Sequence, residues 1–141
     1  MKPLVSAIVT SYNHSNYLEQ RLDSLASQTY DNIEIIVVDD NSTDDSVRVL
    51  KELNKRINFK LLLLEDNVGY AQACNIGISA SQGEYIIFAE SDDYSNYNQI
   101  EKLQHGFEGH NVGVVFSASN MVDSLGEKFG EDISSREGRF Q

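Results

Sequence analysis

Residues 85–93 read Tyr85-Ile86-Ile87-Phe88-Ala89-Glu90-Ser91-Asp92-Asp93, so an apolar run is followed directly by three carboxylates within four positions. An apolar run of this length, entered from Gly83-Glu84, is typical of a strand buried on both faces. Carboxylates crowded at its end repel one another unless a cation neutralises them. Hard divalent cations prefer oxygen ligands, and ligands of open α/β sheets bind beyond the carboxyl ends of strands. The stretch therefore predicts a buried strand that ends at a cation site.

Strand and helix patterns alternate along the whole chain. Short apolar runs predict strands at residues 4–9, 33–38, 59–64, 85–89 and 112–117. Apolar residues at helical spacing between these runs predict helices, the last of them over residues 98–107. Because crossovers of this length favour parallel strands, we predict an α/β fold with a Rossmann-like, mostly parallel sheet and helices on both faces.

Polar residues follow three of the predicted strands. The clusters are Thr10-Ser11-Tyr12-Asn13, Asp39-Asp40-Asn41-Ser42 and Glu90-Ser91-Asp92-Asp93. The carboxyl ends of parallel strands meet at one edge of a sheet, so we expect these clusters to lie together. Three polar clusters at one edge indicate a site more strongly than any one of them alone.

Charge and composition narrow the class of protein. The 141 residues carry a formal net charge of −11, which argues against nucleic acid or an anionic membrane as a direct partner. The single cysteine, Cys74, excludes an internal disulfide. No apolar run approaches the roughly 20 residues that span a bilayer, and the amino-terminal apolar stretch is too short for a secretory signal. We expect a cytoplasmic protein.

Asp39 and Asp40 allow two interpretations. Side chains at this place can cap the following helix, and Ser42 with Asp45 resembles an acidic variant of a capping box. Capping does not explain two carboxylates attached directly to the end of a strand. A carboxylate there can instead accept a hydrogen bond from a base or ribose group of a nucleotide.

Two further segments are less specific. Thr10 to Asn13 offers hydroxyls, an amide and an aromatic ring, which would suit stacking on a base or an ordinary hydrogen-bonded loop equally well. We expect the neighbouring His14 to be a surface residue. Gly69 permits close approach of a ligand, although no Gly-Lys-Ser/Thr follows and the segment is not a phosphate-binding P-loop.

Four segments in order resemble a known family. They are SAIVTSYN at 6–13, VVDDNSTD at 37–44, NVGYAQACNIG at 67–77 and GEYIIFAESDD at 83–93. Over residues 4–123 the sequence is similar to the amino-terminal half of the family-2 inverting glycosyltransferases. The resemblance implies a GT-A type of fold, a nucleotide-sugar donor (usually a UDP-sugar) and a divalent metal, Mn²⁺ or Mg²⁺.

The resemblance also implies roles for the matching positions. Near the nucleotide it places Thr10, Tyr12, Asn13, Asp39, Asp40, Asn67, Gly69 and Asp92. Thr10 and Tyr12 would lie against the base, and Asp40 would hydrogen-bond its edge.

The acidic cluster matches the Asp-x-Asp motif of this family. Asp92 and Asp93 would contact the ribose and bind the metal that bridges the diphosphate. Glu90 is an additional metal candidate, although it stands where many members carry Asp and others carry no acid. We therefore assign Asp92 and Asp93 as the metal ligands.

The resemblance implies that the general base belongs to a carboxyl-terminal half. We therefore expect a nucleotide-sugar-binding domain at residues 1–123 and an irregular polar tail at 124–141, the start of a missing acceptor-side region. No acidic residue of the later sequence is identified as the base; the candidates considered are Asp123, Glu127, Glu131 and Asp132. This chain alone would then bind the donor with little transfer.

Several partners stay open at this stage. The acceptor is an unknown glycan, lipid carrier or protein, and the full-length protein could lie peripherally at the cytoplasmic face of the membrane. An exposed sheet edge could also support a homo-oligomer.

Two alternatives remain beside the glycosyltransferase. One is a catalytically silent nucleotide-binding module, which the sequence does not separate from a shortened enzyme. The other is a signalling domain of the receiver type. A receiver carries its acidic pair after the first strand and a lysine after the fifth, whereas here these places hold Thr10-Ser11 and Ser117-Ala118-Ser119.

Overall fold

The computed structural model of the chain describes residues 2–107, 112–117, 119–123 and 125–129. The chain divides into two compact units, Met1–Asn98 and Gln99–Gln141. The first unit contains, in order, β1 (Val5–Ser11), α1 (Leu18–Ala26), β2 (Ile33–Asp39), α2 (Ser46–Leu53), β3 (Lys60–Leu63), α3 (Tyr70–Ala80) and β4 (Tyr85–Phe88). The second unit contains α4 (Gln99–His105) and an antiparallel bridge between Val122 and Lys128.

The strands of the first unit form one parallel sheet in the order β3-β2-β1-β4. The central strand β1 pairs Ser11 with Asp39 of β2 on one side and Ile8 with Phe88 of β4 on the other. The strand order reverses beside β1, so the topological switch point lies between β1 and β4. Ligands of open α/β sheets bind at this point, beyond the carboxyl ends of the strands.

Helices cover both faces of the sheet, as predicted. Right-handed crossovers place α1 and α2 on one face and α3, which connects strands in the opposite direction, on the other. On the α3 face, Ile36, Val38 and Ala73 form a buried cluster. Gly77 of α3 lies directly against Ile8, because a Cβ atom added there would stand 2.5 Å from the Ile8 Cγ2 atom.

The first strand is longer than predicted. Thr10 and Ser11 were expected in a loop, but both are buried residues of β1. The reason is that β2 also continues to Asp39, so the ladder between the two strands satisfies the backbone groups of these polar residues. Side-chain polarity therefore did not mark the end of the strand.

The fourth strand is less buried than predicted. Ile86 is 40% exposed and Phe88 is 50% exposed, so the expectation of a strand buried on both faces was wrong. These residues pair with Ser6 and Ile8 of β1, and β4 has no second neighbour within the described sheet. Helix α3 packs over β1 and β2 instead. β4 therefore has the apolar composition of a buried strand, although its position at the edge of the described sheet leaves Ile86 and Phe88 exposed.

A fifth strand was predicted at residues 112–117, and the structure assigns none there. Val114 and Phe116 of this segment are exposed. Apolar composition alone does not supply the hydrogen-bonded neighbour that a strand requires.

Among the described residues, no helix is both long and apolar enough to cross a membrane.

Candidate functional site

The polar clusters predicted to share an edge do meet at the carboxyl ends of β1, β2 and β4. The backbone N–H of Asp40 donates to the Ser11 carbonyl at 2.8 Å, directly after the last pair of β1 and β2. The Ala89 N–H donates to the Ile8 carbonyl at 2.9 Å and extends β4 beside β1. The chain that continues from each strand therefore enters the region beyond the switch point.

Asp40 is buried and holds the loop that precedes α3. Its two carboxylate oxygens accept the backbone N–H groups of Val68 at 2.7 Å and Gly69 at 2.8 Å. Its backbone carbonyl accepts the Asn67 side-chain amide at 3.1 Å. Three residues predicted to lie near a nucleotide, Asp40, Asn67 and Gly69, are thus brought together. Each carboxylate oxygen retains a second lone pair for a ligand.

Gly69 occupies a backbone conformation that strongly favours glycine. It has φ 86° and ψ 160° and forms the N-cap position of α3. A Cβ atom at this place would meet nothing within 4 Å, so the requirement for glycine is conformational rather than steric crowding.

Asp39 serves a different loop from Asp40. It is 1% exposed, and its carboxylate accepts the backbone N–H of Ser42 at 2.9 Å and the Ser42 hydroxyl at 2.7 Å. The expected capping box does not form, because the N-cap residue of α2 is Asp45 and its side chain makes no capping hydrogen bond. Asp39 instead closes a tight turn that leads from β2 towards α2.

Asn13 joins the loop after β1 to the loop after β2. Its side-chain oxygen accepts the backbone N–H groups of Thr43 at 2.8 Å and Asp44 at 3.2 Å. Its own N–H donates to the Ser42 hydroxyl at 3.0 Å, and its φ of 58° turns the chain at this point. The adjacent Tyr12 is 45% exposed, so its ring is open to a ligand.

Glu90 and the acidic pair differ in their surroundings. The Glu90 carboxylate accepts a hydrogen bond from the Tyr70 hydroxyl at the start of α3, and this bond raises the pKa of Tyr70. Asp92 and Asp93 are exposed, and no side-chain hydrogen bond from a described residue reaches either carboxylate. The Asp93 N–H donates to the Glu90 carbonyl at 3.3 Å, which forms the turn that presents the pair.

Arg21, on the inner face of α1, is a site residue that the sequence analysis did not identify. It is 4% exposed, and its Nε donates to the Glu90 carbonyl at 2.6 Å. Burial lowers the pKa of Arg21, while the nearby carboxylates of Asp93, Glu90 and Asp92 act in the opposite direction. An arginine among Leu18, Leu22 and Leu25 was the available signal, because a buried guanidinium needs partners.

His14 was predicted to be a surface residue, but it also makes a contact within the site. The residue is half-buried, and its Nδ1 atom is hydrogen-bonded to the Ser91 hydroxyl at 2.7 Å. Its ring also meets the ring of Tyr17 edge-on at 6.0 Å. The contact ties the loop after β1 to the acidic loop after β4, across the switch point.

The carboxylates present suit a metal shared with a ligand better than a metal enclosed by protein. Within the described ranges, no group of three or more His, Cys, Asp or Glu side chains could hold a metal ion. Asp92 and Asp93 nevertheless offer hard oxygen donors that are open to solvent. Mg²⁺ and similar ions are commonly held by one or two carboxylates together with substrate phosphates and water.

Of the later acidic residues named as candidates for the general base, the structure describes Asp123 and Glu127. Asp123, in the second unit, accepts the backbone N–H groups of Leu125 at 2.8 Å and Glu127 at 3.0 Å, which fixes a turn. Glu131 and Asp132 lie outside the described residues, as does most of the tail predicted at 124–141.

The comparison with protein families identifies one match. The family model "Glycosyl transferase family 2" matches residues 6–132. Glycosyltransferase GlyG of Streptococcus pneumoniae is 40% identical over 116 residues, which are 82% of this chain and 38% of that protein. The putative glycosyltransferase EpsH of Bacillus subtilis is 33% identical over 132 residues, which are 94% of this chain and 38% of that protein. The chain thus spans well under half of these relatives.

Solved structures agree with the fold. TarS 1-349 of S. aureus, in complex with UDP-GlcNAc, is 33% identical with a TM-score of 0.65, over 70% of this chain and 29% of that one. Mannosyltransferase PcManGT of Pyrobaculum calidifontis, in complex with GDP-Man and Mn²⁺, has a TM-score of 0.74 over 80% of this chain and 34% of that one. At 24% identity the second likeness supports the fold alone.

The strand order excludes the receiver alternative. Receivers have the order 2-1-3-4-5, in which the first strand lies between the second and the third. Here β1 lies between β2 and β4. The family match and the parallel sheet confirm the predicted resemblance and fold class, and the chain therefore belongs to glycosyl transferase family 2.

Proposed function

We propose that this chain is the donor-binding domain of a glycosyltransferase, which holds a UDP-sugar together with Mn²⁺ or Mg²⁺ for inverting transfer to an acceptor. One observation carries the proposal. The loop that Asp40 fixes leads into α3 of a family-2 chain. The Tyr70 hydroxyl at the start of α3 donates to Glu90, so this loop meets the one that presents Asp92 and Asp93. The likeness to TarS, solved with UDP and with UDP-GlcNAc, supports uridine as the base.

The nucleoside would lie over the end of β1. Tyr12 offers an exposed ring for stacking, and Thr10 lies at the end of the same strand. Asp40 would use its remaining lone pairs to accept a hydrogen bond from the base, next to Asn67 and Gly69. Asp39, whose carboxylate closes the turn at Ser42, and Asn13, whose side-chain oxygen joins two loops, would support this surface.

The diphosphate would lie towards the end of β4. Asp92 would face the ribose, and Asp93 would hold the metal with Asp92. A divalent ion bound there would act as a Lewis acid that stabilises the charge of the leaving diphosphate. We do not assign Glu90 as a metal ligand, because the Glu90 carboxylate already accepts a hydrogen bond from the Tyr70 hydroxyl.

Transfer also needs a carboxylate that takes the proton of the acceptor hydroxyl. We assign no described residue to this role. Donor binding is therefore the activity to test in the 141-residue chain, and the acceptor, whether glycan, lipid carrier or protein, belongs to the whole protein.

Calorimetry tests the proposal directly. UDP titrated into the chain should bind in the presence of Mn²⁺, and EDTA should abolish most of that affinity. GDP and ADP, which carry the same diphosphate, should bind more weakly because only uracil matches the base site. A folded chain whose affinity for UDP is the same with Mn²⁺ and with EDTA would contradict the metal part. Equal affinity for all three nucleotides would contradict the assignment of the base.

A further inference from the structure

We propose that Arg21 is a positioning residue that fixes the turn carrying Asp92 and Asp93 in the geometry that accepts a metal–diphosphate. The proposal rests on the proposed function, because it concerns how the same site is held. It adds a buried cation on α1 to the site. The family resemblance assigns no role to this residue.

The first part of the argument is the way Arg21 holds both ends of the acidic segment. Its Nε donates to the Glu90 carbonyl at 2.6 Å, and its Nη1 donates to the Ser95 hydroxyl at 2.8 Å. These contacts enclose residues 91–94. The guanidinium is planar and rigid. The two bonds therefore fix the distance between residues 90 and 95, in addition to the place of each residue.

The second part is that Arg21 contacts the acceptor that forms the turn itself. The Glu90 carbonyl receives the Arg21 Nε and also the backbone N–H of Asp93. The two donors share this one oxygen, so the place of the guanidinium also sets how the Asp93 N–H can reach it. The contact thus acts directly on the turn that sets the direction of Asp92 and Asp93.

Helix α1 reinforces this arrangement one turn further along. The Ser24 hydroxyl donates to the Arg21 carbonyl at 2.7 Å and accepts the Ser95 N–H at 3.1 Å. The segment is therefore fixed at Glu90 and at Ser95 by α1. Asp92 and Asp93 remain exposed between these points, as a pair that binds a ligand must.

The third part is the charge of Arg21. Burying a guanidinium is costly unless polar partners satisfy it, and its described partners are a neutral carbonyl and a neutral hydroxyl. No described carboxylate forms an ion pair with it. Its positive charge is therefore not neutralised by a single carboxylate. It lowers the mutual repulsion of Glu90, Asp92 and Asp93 when no metal is bound.

The test compares Arg21→Gln with Arg56→Gln in the full 141-residue chain. Arg56 is a matched control, because it also contacts α1, through Glu19 and Asp23, but lies on the exposed side. The Mn²⁺ concentration that gives half of the maximal UDP binding should rise roughly 10- to 100-fold in Arg21→Gln, the usual effect of losing a group that orients metal ligands. Arg56→Gln should match the unmodified chain.

Uridine binding distinguishes a loss of positioning of Asp92 and Asp93 from general damage to the fold. It carries no phosphate, so its binding, followed by NMR shifts, should be unchanged in Arg21→Gln. An equal loss of uridine and UDP binding, or an unchanged Mn²⁺ midpoint, would overturn the inference. If the unmodified chain binds UDP without dependence on Mn²⁺, the proposed function fails as well. If the unmodified chain shows that dependence and Arg21→Gln has the same Mn²⁺ midpoint, only the role of Arg21 fails.

Ser95→Ala covers the case in which Arg21→Gln does not fold. It removes the acceptor of one Arg21 hydrogen bond and leaves the buried cation in place. We expect the Mn²⁺ midpoint to rise about fivefold, which corresponds to one hydrogen bond of ordinary strength. A Ser95→Ala midpoint equal to that of the unmodified chain would contradict the proposal by itself.

Discussion

The backbone N–H of Gly69, at the start of α3, donates a 2.8 Å hydrogen bond to the carboxylate of Asp40, at the end of β2. The neighbouring oxygen of the same carboxylate accepts the Val68 N–H. One buried side chain therefore replaces water for two backbone donors at a loop that borders the proposed base site. The residue expected to recognise the base also supports the loop beside it.

Asp40→Asn should lower the free energy of unfolding by about 1–3 kcal/mol, the usual cost of an unsatisfied buried donor. The new amide keeps one oxygen acceptor but turns an NH₂ group towards a backbone N–H. Urea denaturation measures the change. Asp45→Asn is the control, because Asp45 forms its ion pair with the exposed Arg48 and the substitution should leave stability nearly unchanged.

Gly69→Ala should destabilise the chain by about 1–3 kcal/mol through backbone strain alone, since φ 86° with ψ 160° is a conformation reached almost only by glycine. No atom lies within 4 Å of the added Cβ, so crowding does not contribute. Gly113→Ala, which also meets nothing within 4 Å and has no left-handed φ, is the matched control and should be close to neutral. Equal thermal stability of the two variants would contradict the assignment of strain.

Gly77→Ala should also destabilise, here by overpacking of about 1–3 kcal/mol, because its Cβ would stand 2.5 Å from Ile8 Cγ2. In an Ile8→Ala background the same substitution should instead stabilise by up to about 1 kcal/mol, the helix preference of alanine over glycine. Denaturation of the two single variants and the double variant measures this reversal of sign. An unchanged cost in both backgrounds would show that Ile8 is not the obstacle.

Asp93→Ala should weaken Mn²⁺-dependent UDP binding strongly and leave folding nearly unchanged. The side chain is exposed and contributes little to the core. Removing it also relieves repulsion with Asp92 and Glu90, so stability without metal should stay equal or rise. Calorimetry and thermal unfolding measure the two effects. Asp31→Ala removes an exposed acid paired with Lys2 before β2, away from the site, and should keep full UDP affinity. Unchanged affinity in Asp93→Ala would remove this residue from the site.

Asp44→Asn should lower stability at neutral pH but not in strong acid. Burial opposes ionisation of Asp44, but hydrogen bonds from Ser46 and Ser15 outweigh it and lower the pKa of Asp44 to about 2. A carboxyl group whose pKa falls on folding stabilises the fold above its ordinary pKa and loses that effect as the pH drops through the folded value.

For Asp44 the loss should therefore occur between about pH 4 and pH 2. Because the side chain is exposed, we expect a difference of at most about 1 kcal/mol from the unmodified chain at pH 7. Denaturation curves at several pH values measure it. A difference that stays constant down to pH 2 would contradict an electrostatic origin.

The edge at which the polar clusters meet could be predicted, because these clusters follow the strands. The clusters that contain Asp40 and Asp92 come directly after apolar runs, and in a parallel sheet the ends of those runs meet at one edge. Arg21 and His14 could not be assigned in this way. Their partners, Glu90 and Ser91, are more than 60 residues away along the chain. No local pattern reports a contact at that separation.

Burial was the other property that the residues did not reveal. Thr10 and Ser11 are polar yet buried, whereas Ile86 and Phe88 are apolar yet exposed. In both cases the neighbouring strand decided the outcome, since β2 continues beside Thr10 and Ser11 and β4 lies at the edge of the described sheet.

The amino-acid sequence by itself determined the alternation of strands and helices, the parallel sheet and the edge at which the acidic residues meet. Hydrophobic periodicity and strand length act locally, so these features can be read along the chain. The carboxylates already engaged are Asp39 by Ser42, Asp40 by Val68 and Gly69, and Glu90 by Tyr70, and only the first of these contacts is local in the sequence. Hydrogen-bond partners depend on distances in space, and three of these four partners come from loops or helices that only folding brings near.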